Sequence, residues 1–328
     1  MSKSSPVLVA LDPGARAFKA CTHNAQLLLP SVVATNGVTK VYGLSGLRNR
    51  KRPTKVTTHQ GEYLVGIGAH DFGRAVENLD FERLTGTPEL QALFYATLSQ
   101  LFNRQVPKQM TLLIGLPIGA MSGESGKETI KRIKDFFRAA HEWQIEDEPQ
   151  RTNVEQVDVT GQPVGAVLEY FLNADGSAHP ARREDYKKEV GVINLGMSTV
   201  DLLSCRQGQV IERMTGGDTL GVQEMLIELS QQTGYTLAEL DEQLRRQQLD
   251  LSQLLPVWER RVFGYIGKVW GTSYRRFARV IASGGGTYLL QDALMRRFGS
   301  RLYIAPDPVM STAIGLYRFG LKQSRQGT

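Results

Sequence analysis

The chain has 328 residues, of which 41% are hydrophobic and 22% are charged, with a formal net charge of +6. This balance excludes an intrinsically disordered chain and leaves room for a large core or two domains. No apolar run is long enough for a membrane span or a secretory signal, and the two cysteines lie far apart, so we expect a cytoplasmic protein without a disulfide scaffold.

The first third of the chain is predicted to be rich in β-strands. The segment "VLVALDPGARAFKAC", residues 7–21, is an apolar strand, a glycine turn after Asp12 and a second strand. Another strand, "QLLLPSVVA", and a hairpin that turns near Gln60 come next. A helix follows, for which Thr87 is the predicted N-cap and Pro88 the first helical residue.

Between these strands lies a basic run, "LRNRKRPTK", residues 47–55, which has five basic residues and no acidic one. Such a run could contact nucleic acid, an acidic partner or a neighbouring subunit. It lacks the interleaved aromatic side chains of a surface that binds single strands. The sequence therefore favours a solvated loop over contact with DNA.

The middle of the chain is predicted to alternate strands and helices. "QMTLLIGLPIGAM" is a buried strand, and "GKETIKRIKDFFRAAHEW" is an amphipathic helix. "VEQVDVTGQPVGAVLEYFLNADG" then indicates a strand, a turn and a helix that stops at Gly176.

The second half restarts the pattern of the first. "VINLGMSTVDLLSC", residues 192–205, repeats the glycine-turned hairpin, with Asn194 in the place of Asp12. Long helices are predicted from about Leu220 to Arg279. "RVIASGGGTYLLQDALMRRFG" and "LYIAPDPVMSTAIGLYRFGLK" each indicate a strand, a turn and a helix. Mixed sheets flanked by helices, built twice, place the chain in the α/β class.

The two glycine turns suit the binding of an anion, because glycine lets backbone N–H groups approach a ligand closely. Ser198 and Thr199 add hydroxyl donors to the second turn, and Arg16 and Lys19 add positive charge to the first. Two such turns across a cleft could hold a polyphosphate, with Asp12 placed to hold hydrated Mg²⁺. For one hairpin alone, an ordinary β-turn would be the better interpretation.

Five segments resemble, in order, the five sequence elements of the ATPase superfamily of actin, heat-shock ATPases and sugar kinases. "ALDPGARAFK" and "INLGMSTVD" are similar to its two phosphate loops, and "IASGGGTYLLQDAL" is similar to its adenosine motif. "GQPVGAVLEYFLNADG" and "DPVMSTAIGLYRFG" are similar to its two connecting elements. Chain size and the proline-rich ending most resemble actin-like proteins of the ParM/StbA plasmid-segregation type.

The resemblance implies an α/β actin-like fold, in which two related domains with ribonuclease H-like cores enclose a nucleotide cleft. Domain I would comprise residues 1–165 and 305–328, with a small subdomain at about 30–80. Domain II would comprise residues 166–304, with a helical subdomain at about 220–279.

The resemblance also implies a role for each site residue. Asp12 would hold Mg²⁺ through water, Gln162 would orient the attacking water, and Asn194 would lie close to both. These three residues are the predicted catalytic set. The predicted nucleotide-binding residues lie in the glycine turns and beside them: Asp12, Gly14, Arg16, Lys19, Gly196, Ser198, Thr199, Gly216, Gly217, Asp218, Gly284, Gly285 and Gly286.

Each assignment has a purely structural alternative. Lys19 can be a charge on a strand face, Arg16 a solvated turn residue, and Asp218 the cap of the helix that follows it. Gln162 can be a turn residue before Pro163. The three glycines can be a plain helix entry, although glycines after a strand more often mean a close backbone approach.

Two residues depart from the family pattern. Asn194 stands where the second phosphate loop usually has Asp, so it lacks the negative charge but keeps an acceptor. Pro13 lacks the backbone N–H that the first loop could have offered to a phosphate. Slow hydrolysis with persistent filaments, and nucleotide binding with hardly any hydrolysis, are both compatible with these changes.

The sequence therefore predicts a Mg²⁺-dependent ATPase, using ATP or GTP, that forms actin-like filaments and segregates or positions plasmid DNA. Its partners would be further copies of itself and a DNA-bound adaptor protein, with no sequence-specific DNA contact of its own and no membrane. Arg50, Lys51 and Arg52 would belong to a subunit interface. The alternative is a non-polymerising nucleotide-binding scaffold or regulator with weak ATPase activity, and a small-molecule kinase is a third candidate.

Overall fold

A computed structural model of the chain describes residues 6–35, 52–76 and 84–326. The strands and α-helices of the first half are β1 (Val7–Pro13), β2 (Ala17–Cys21), β3 (Gln26–Pro30), β4 (Val33–Thr35), β5 (Thr54–Thr58), β6 (Gly61–Val65), α1 (Pro88–Leu101), β7 (Gln109–Leu116), α2 (Gly123–Phe137), β8 (Ala140–Ile145), β9 (Glu148–Gly161) and α3 (Gln162–Phe171). These strands form one sheet in the order β3-β2-β1-β7-β9-β8-β5-β6-β4.

The second half forms a second sheet in the order β12-β11-β10-β14-β15, with β13 paired to β11. Its strands and helices are α4 (Arg183–Tyr186), β10 (Glu189–Leu195), β11 (Val200–Arg206), β12 (Gln209–Val210), β13 (Gly216–Asp218), α5 (Gln223–Thr233), α6 (Leu237–Arg245), α7 (Leu255–Trp270), β14 (Arg279–Ser283), α8 (Gly286–Phe298), β15 (Leu302–Ile304) and α9 (Ser311–Gln326). The predicted α/β class is confirmed.

The glycine-turned hairpin occurs twice, once in each sheet. In the first, β1 and β2 are antiparallel, and Asp12 lies directly opposite Lys19. In the second, β10 and β11 are antiparallel, and Asn194 lies opposite Asp201. Each hairpin also has a parallel neighbour, since β1 pairs with β7 and β10 with β14. Both turns therefore follow the carboxyl end of the first hairpin strand, on the side of the sheet where its parallel neighbour also ends.

Two predicted helix ends are wrong. α3 ends at Phe171, before the predicted stop at Gly176, because the Asn173 N–H bonds to the carbonyl of Ser177 and closes a turn. Gly176 has a φ of +83° and belongs to that turn. α2 ends at Phe137, and the residues predicted to extend it alternate between exposed and buried in β8.

The last helix of the chain returns to the first sheet. α9 follows β15 of the second sheet, yet it packs on β1, β2 and β7. Its Ala313, Leu316 and Tyr317 are buried in one cluster with Ala10 and Leu113. The core of the first sheet is therefore completed by the last residues that the structure describes.

α3 makes the matching contact with the second sheet and crosses α9. Its Ala166 and Tyr170 are buried with Val192 of β10. At the crossing the two backbones meet: a Cβ added to Gly315 would lie 1.8 Å from the carbonyl oxygen of Gly165. α3 and α9 thus form the layer that joins the two sheets, and their contact requires glycine.

Some predictions remain untested by the fold. Arg50 and Lys51 of the basic run lie outside the described residues, and Arg52 lies just inside them. The domain bounds, including the subdomains, also stay a prediction. Among the helices in the described ranges, none combines the length and the apolar character that crossing a membrane requires.

Candidate functional site

The turns of both hairpins line a cavity of about 520 Å³ between the two sheets. The turn from β14 into α8 and one face of α6 form further walls. The charged lining residues are Asp12, Arg16, Lys19, Asp241 and Arg245, which is three cations against two carboxylates. A ligand with negative charge would balance this excess, because charge in a partly enclosed space is only weakly screened.

Most of the predicted site residues line this one cavity: Asp12, Gly14, Arg16, Lys19, Gln162, Asn194, Gly196, Ser198, Thr199, Gly284, Gly285 and Gly286. Gly216, Gly217 and Asp218 are not among its lining residues. They form β13, which pairs with β11. The Asp218 carboxylate accepts a hydrogen bond from the N–H of Thr219 at 2.7 Å, and α5 begins only at Gln223, so Asp218 does not cap it.

Asp12 is the buried carboxylate at the centre of the site. Lys19, opposite it in the hairpin, donates to Oδ2 at 2.8 Å. Gln162, the first residue of α3, donates through Nε2 to Oδ1 at 2.7 Å. Only 3% of Asp12 is exposed, and its charge is stabilised by these two donors. Lys19 and Gln162 therefore belong to the cavity rather than to a solvated face or turn.

Asn194 extends this network through both ends of its amide. Its Nδ2 donates to Oε1 of Gln162 at 3.3 Å, and its Oδ1 accepts from the hydroxyl of Ser283 at 3.1 Å. The three hydrogen bonds therefore run in one direction: Ser283 donates to Asn194, Asn194 donates to Gln162, and Gln162 donates to Asp12. Asp at position 194 could still accept from Ser283, but it has no donor for Gln162.

We expect Asn194→Asp to destabilise the protein in the absence of Mg²⁺, by about 1–3 kcal/mol, because Oε1 of Gln162 loses its donor. The new carboxylate would also lie close to two others, since Asn194 is a hydrogen-bond partner of Asp201 and Gln162 separates it from Asp12. Thermal melts with EDTA and with Mg²⁺ measure the effect, and added Mg²⁺ should restore part of the lost stability.

Asn194→Ala is the control for this prediction. It removes the same donor without adding a charge, so its loss of stability should be independent of Mg²⁺. If Asn194→Asp melts at the wild-type temperature in EDTA, the hydrogen bond from Asn194 to Gln162 does not stabilise the site.

The second hairpin turn is closed by its own backbone. The N–H of Gly196 donates to the carbonyl of Thr199 at 2.8 Å. The hydroxyl of Ser198 donates to Oε1 of Gln223 at 3.0 Å, and that of Thr199 donates to Oδ2 of Asp201 at 2.9 Å. The turn is therefore held in shape by its own half of the molecule.

The triple glycine brings α8 against this hairpin. Gly284 has a φ of +84°, and a Cβ there would lie 2.3 Å from the carbonyl oxygen of Leu195. The close approach at Gly284 is therefore made to β10, whereas an approach of the glycine backbone to a nucleotide stays a prediction. A Cβ added to Gly285 would have Cγ2 of Val309 as its nearest neighbour, at 3.9 Å. The backbone of Gly285 is therefore accessible from the cavity.

Asp201 is a fully buried carboxylate that joins the two halves next to the site. Its Oδ1 accepts from the N–H of Ile118, and its Oδ2 accepts from Thr199. The pKa of Asp201 is raised from 3.8 to about 7, mainly because the carboxylate is buried. The hydrogen bonds from Thr199, Ile118 and Asn194 lower the pKa, but burial has the larger effect. The folded state therefore binds this proton more tightly than the unfolded state does.

Because this pKa is raised, the contribution of Asp201 to stability should fall as the pH rises towards its folded value. From pH 5 to pH 8 we expect a loss of about 2–3 kcal/mol in the free energy of unfolding. Asp201→Asn keeps the shape but cannot ionise, so this loss should be absent from the variant. Urea unfolding of both proteins at several pH values measures the difference, and parallel pH profiles would contradict the prediction.

α6 is the part of the site that sequence reasoning missed. Asp241, Leu244 and Arg245 line the cavity, although they lie in a helix of the second half. The spacing of Asp241 and Arg245 predicts an ion pair within the helix, which forms at 3.0 Å. Nothing in the spacing indicates that the pair faces the first hairpin.

Comparison with known proteins agrees with this architecture. A family model described as the N-terminal domain of actin-like proteins matches residues 10–165. No curated protein matches the sequence. The structure superimposes on an archaeal actin homologue, Ta0583, in complex with ADP, with a TM-score of 0.67 at 18% identity, covering 98% of this chain and 100% of that one.

Two ParM structures are also similar. The apo ParM protein of psk41 has a TM-score of 0.71 at 16% identity, covering 98% of this chain and 99% of the other. A 15-stranded ParM filament from Clostridium botulinum has a TM-score of 0.68 at 15% identity, covering 97% and 99%. The chain has an actin-like fold. The actin-like fold predicted from the five sequence segments is therefore confirmed, and the family model matches most of the N-terminal half of the chain.

Proposed function

We propose that this protein is a nucleotide-dependent actin-like ATPase that forms filaments and segregates or positions plasmid DNA. The observation that carries the proposal is the cavity between two glycine-turned hairpins, with Asp12, Gln162 and Asn194 connected across it. The cavity has an excess of cationic lining residues at Arg16 and Lys19, which favours a polyphosphate.

Part of the lining suits a base and a ribose. Leu244, Tyr288 and Leu289 are apolar or aromatic lining residues, and Gly285, which is close in sequence to Tyr288 and Leu289, offers backbone polar groups. A mostly apolar pocket with a few placed polar groups is typical of small-molecule sites. ATP and GTP are both candidates, and the proposal covers both.

The residues present fit Mg²⁺ held through water. In the described part of the chain no three acidic, His or Cys side chains converge on a metal position. Of the two carboxylates that line the cavity, Asp12 lies in the first hairpin and would hold the waters of the metal, whereas Asp241 lies on α6 and pairs with Arg245. Mg²⁺ commonly keeps most of its waters and uses one or two carboxylates together with phosphate oxygens. When bound, it would neutralise charge on the phosphates, while Lys19 and Gln162 hold the Asp12 carboxylate in place.

Gln162 would orient the water that attacks the terminal phosphate. Its amide uses one hydrogen on Asp12 and one lone pair on Asn194, which leaves a second N–H and a second lone pair for water. A neutral amide positions water but does not deprotonate it, so hydrolysis of the phosphoanhydride bond would rest on positioning and charge stabilisation. We expect slow turnover.

Filament formation and the partners rest on likeness alone. The proposed partners are further copies of this chain and a DNA-bound adaptor, without sequence-specific DNA contact by this chain. Two domains would close on the nucleotide, with residues 1–165 and 305–328 in one and 166–304 in the other. The basic run with Arg50, Lys51 and Arg52 would lie at a subunit contact, and reversing these three charges should weaken assembly.

The first test is high-speed pelleting with electron microscopy of the pellet, in Mg²⁺ buffer with ATP, GTP, ADP or no nucleotide. Filaments that form only with a triphosphate, above a threshold protein concentration, would support the proposal. A protein that binds nucleotide but stays in the supernatant at every concentration would support the alternative, a non-polymerising scaffold or regulator.

The second candidate is favoured by Asn194 and Pro13. Asn194 completes the hydrogen-bond network of Asp12 without a metal, so the site is satisfied before any nucleotide enters. Turnover measured on the wild type and on Asn194→Asp separates the candidates. A sharp rise in the variant would mean a complete site with slowed hydrolysis, and no hydrolysis in either would favour the scaffold.

A further inference from the structure

Helix α6 connects the two halves of the molecule at the rim of the cavity. It belongs to the second half by sequence, but its Ala238 is buried against the first sheet. The cluster there contains Val32, Ala34 and Leu64. This cluster is small beside the two main cores, so only a modest apolar contact holds α6 on the first sheet.

Polar contacts supplement this small cluster at two points. Within the helix, Oε2 of Glu242 lies 3.5 Å from Nε2 of His70, which follows β6. At the last residue of α6, Nη2 of Arg245 donates to the backbone carbonyl of Arg16 at 2.8 Å. Arg16 lies in the turn of the first hairpin, so α6 is bonded directly to the loop proposed to meet the phosphates.

Asp241 fixes the arginine that makes this contact. Its carboxylate accepts from Nε of Arg245 at 3.0 Å and is only 2% exposed as a residue. Burial raises the pKa of Asp241, whereas the positive charges of Arg245 and Arg16 lower it. The side chain of Arg245 is 32% exposed, so the contact with Arg16 lies at the border between cavity and solvent.

We propose that α6 is a strap that closes the cavity from the side of the first hairpin, and that Arg245, held by Asp241, sets how fast a bound nucleotide leaves. The proposal rests on the proposed nucleotide site. A nucleotide that is walled in by Leu244 and Arg245 can leave past this wall only when α6 separates from Arg16 and from the cluster around Ala238.

Arg245→Gln tests the strap, because it removes the charged donor to Arg16 and keeps a long polar side chain. With fluorescent N-methylanthraniloyl-ATP and Mg²⁺, chased by unlabelled ATP, we expect dissociation to become about tenfold faster, as for loss of one hydrogen bond from a charged donor. Asp241→Asn should accelerate dissociation in the same direction, because Arg245 loses its ionised partner.

Arg296→Gln is the matched control. Arg296 of α8 forms an ion pair with Glu259 of α7 at 3.7 Å, and neither residue is among those that line the cavity. Its removal should leave the dissociation rate at the wild-type value. Equal rates for Arg245→Gln, Arg296→Gln and the wild type would overturn the proposal.

Hydrogen exchange of the amides in α6, measured without nucleotide, decides the proposal independently of binding. Arg245→Gln should raise the exchange rates of residues 237–245 about tenfold, while β1 and β7 keep their protection. Unchanged protection of α6 would overturn the strap. If the protein binds no nucleotide, the proposed function fails, whereas this exchange result still shows whether Arg245 holds α6 in place.

Discussion

An Asp12→Asn variant should lose at least about 100-fold in affinity for Mg²⁺-ATP, the equivalent of roughly 3 kcal/mol. Asp12 is the acceptor for both Lys19 and Gln162. Asn at this position has one acceptor and one donor end. If the acceptor end serves Lys19, the donor end faces the N–H group of Gln162, and an amide flip of Gln162 would then conflict with Asn194.

Isothermal titration calorimetry with ATP, in Mg²⁺ and in EDTA, measures this effect. The wild type should bind more tightly with Mg²⁺, and Asp12→Asn should lose most of that dependence. Asp292→Asn makes the same chemical change at an exposed position on α8 and should leave binding unaltered. If Asp12→Asn binds Mg²⁺-ATP as tightly as the wild type, Asp12 does not hold the metal.

A Gly315→Ala variant should lose about 3 kcal/mol or more in the free energy of unfolding. The added methyl group would lie 1.8 Å from the carbonyl oxygen of Gly165 and 2.6 Å from the backbone nitrogen of Glu169. Neither atom can rotate away, because both belong to the backbone of α3. α3 and α9 would therefore have to separate, and overpacking of this kind costs about 1–3 kcal/mol even where side chains can adjust.

Gly264→Ala is the control for the crossing. Gly264 is also inside a helix, α7, and apart from the backbone of that helix no described atom lies within 4 Å of its added Cβ. This variant should gain about 0.5–1 kcal/mol from higher helix propensity. In denaturant unfolding, we expect the free energy of unfolding to fall for Gly315→Ala and to rise for Gly264→Ala. A loss of stability in both variants would mean that the close crossing of α3 and α9 does not explain the loss in Gly315→Ala.

Local features of the fold were predictable because short segments determine them. The hydroxyl of Thr87 accepts from the N–H of Leu90 at 3.3 Å, as its position before Pro88 predicts. The two hairpins were predictable from glycine between apolar strands. Their meeting at one cavity followed only from the resemblance to a family, because no local pattern in either hairpin indicates the other.

Contacts between distant segments were not predictable from the pattern. Arg245 and Arg16 are 229 residues apart, and the periodicity of α6 indicates a buried face without saying what buries it. The sequence shows that Asn194 stands where the family pattern has Asp. Its effect on the hydrogen-bond network depends on which end of the Gln162 amide faces it, and the sequence does not show this. The end of α3 was missed because a turn competes with the helix before Gly176.

The return of α9 to the first sheet has a consequence for how the chain is made. During translation β1 and β7 emerge from the ribosome long before Ala313, Leu316 and Tyr317, which cover Ala10 and Leu113. The first half therefore keeps an apolar face open while the second half is synthesised. Chains released before α9 would expose this face, so the nascent protein should depend on chaperones until synthesis has passed Tyr317.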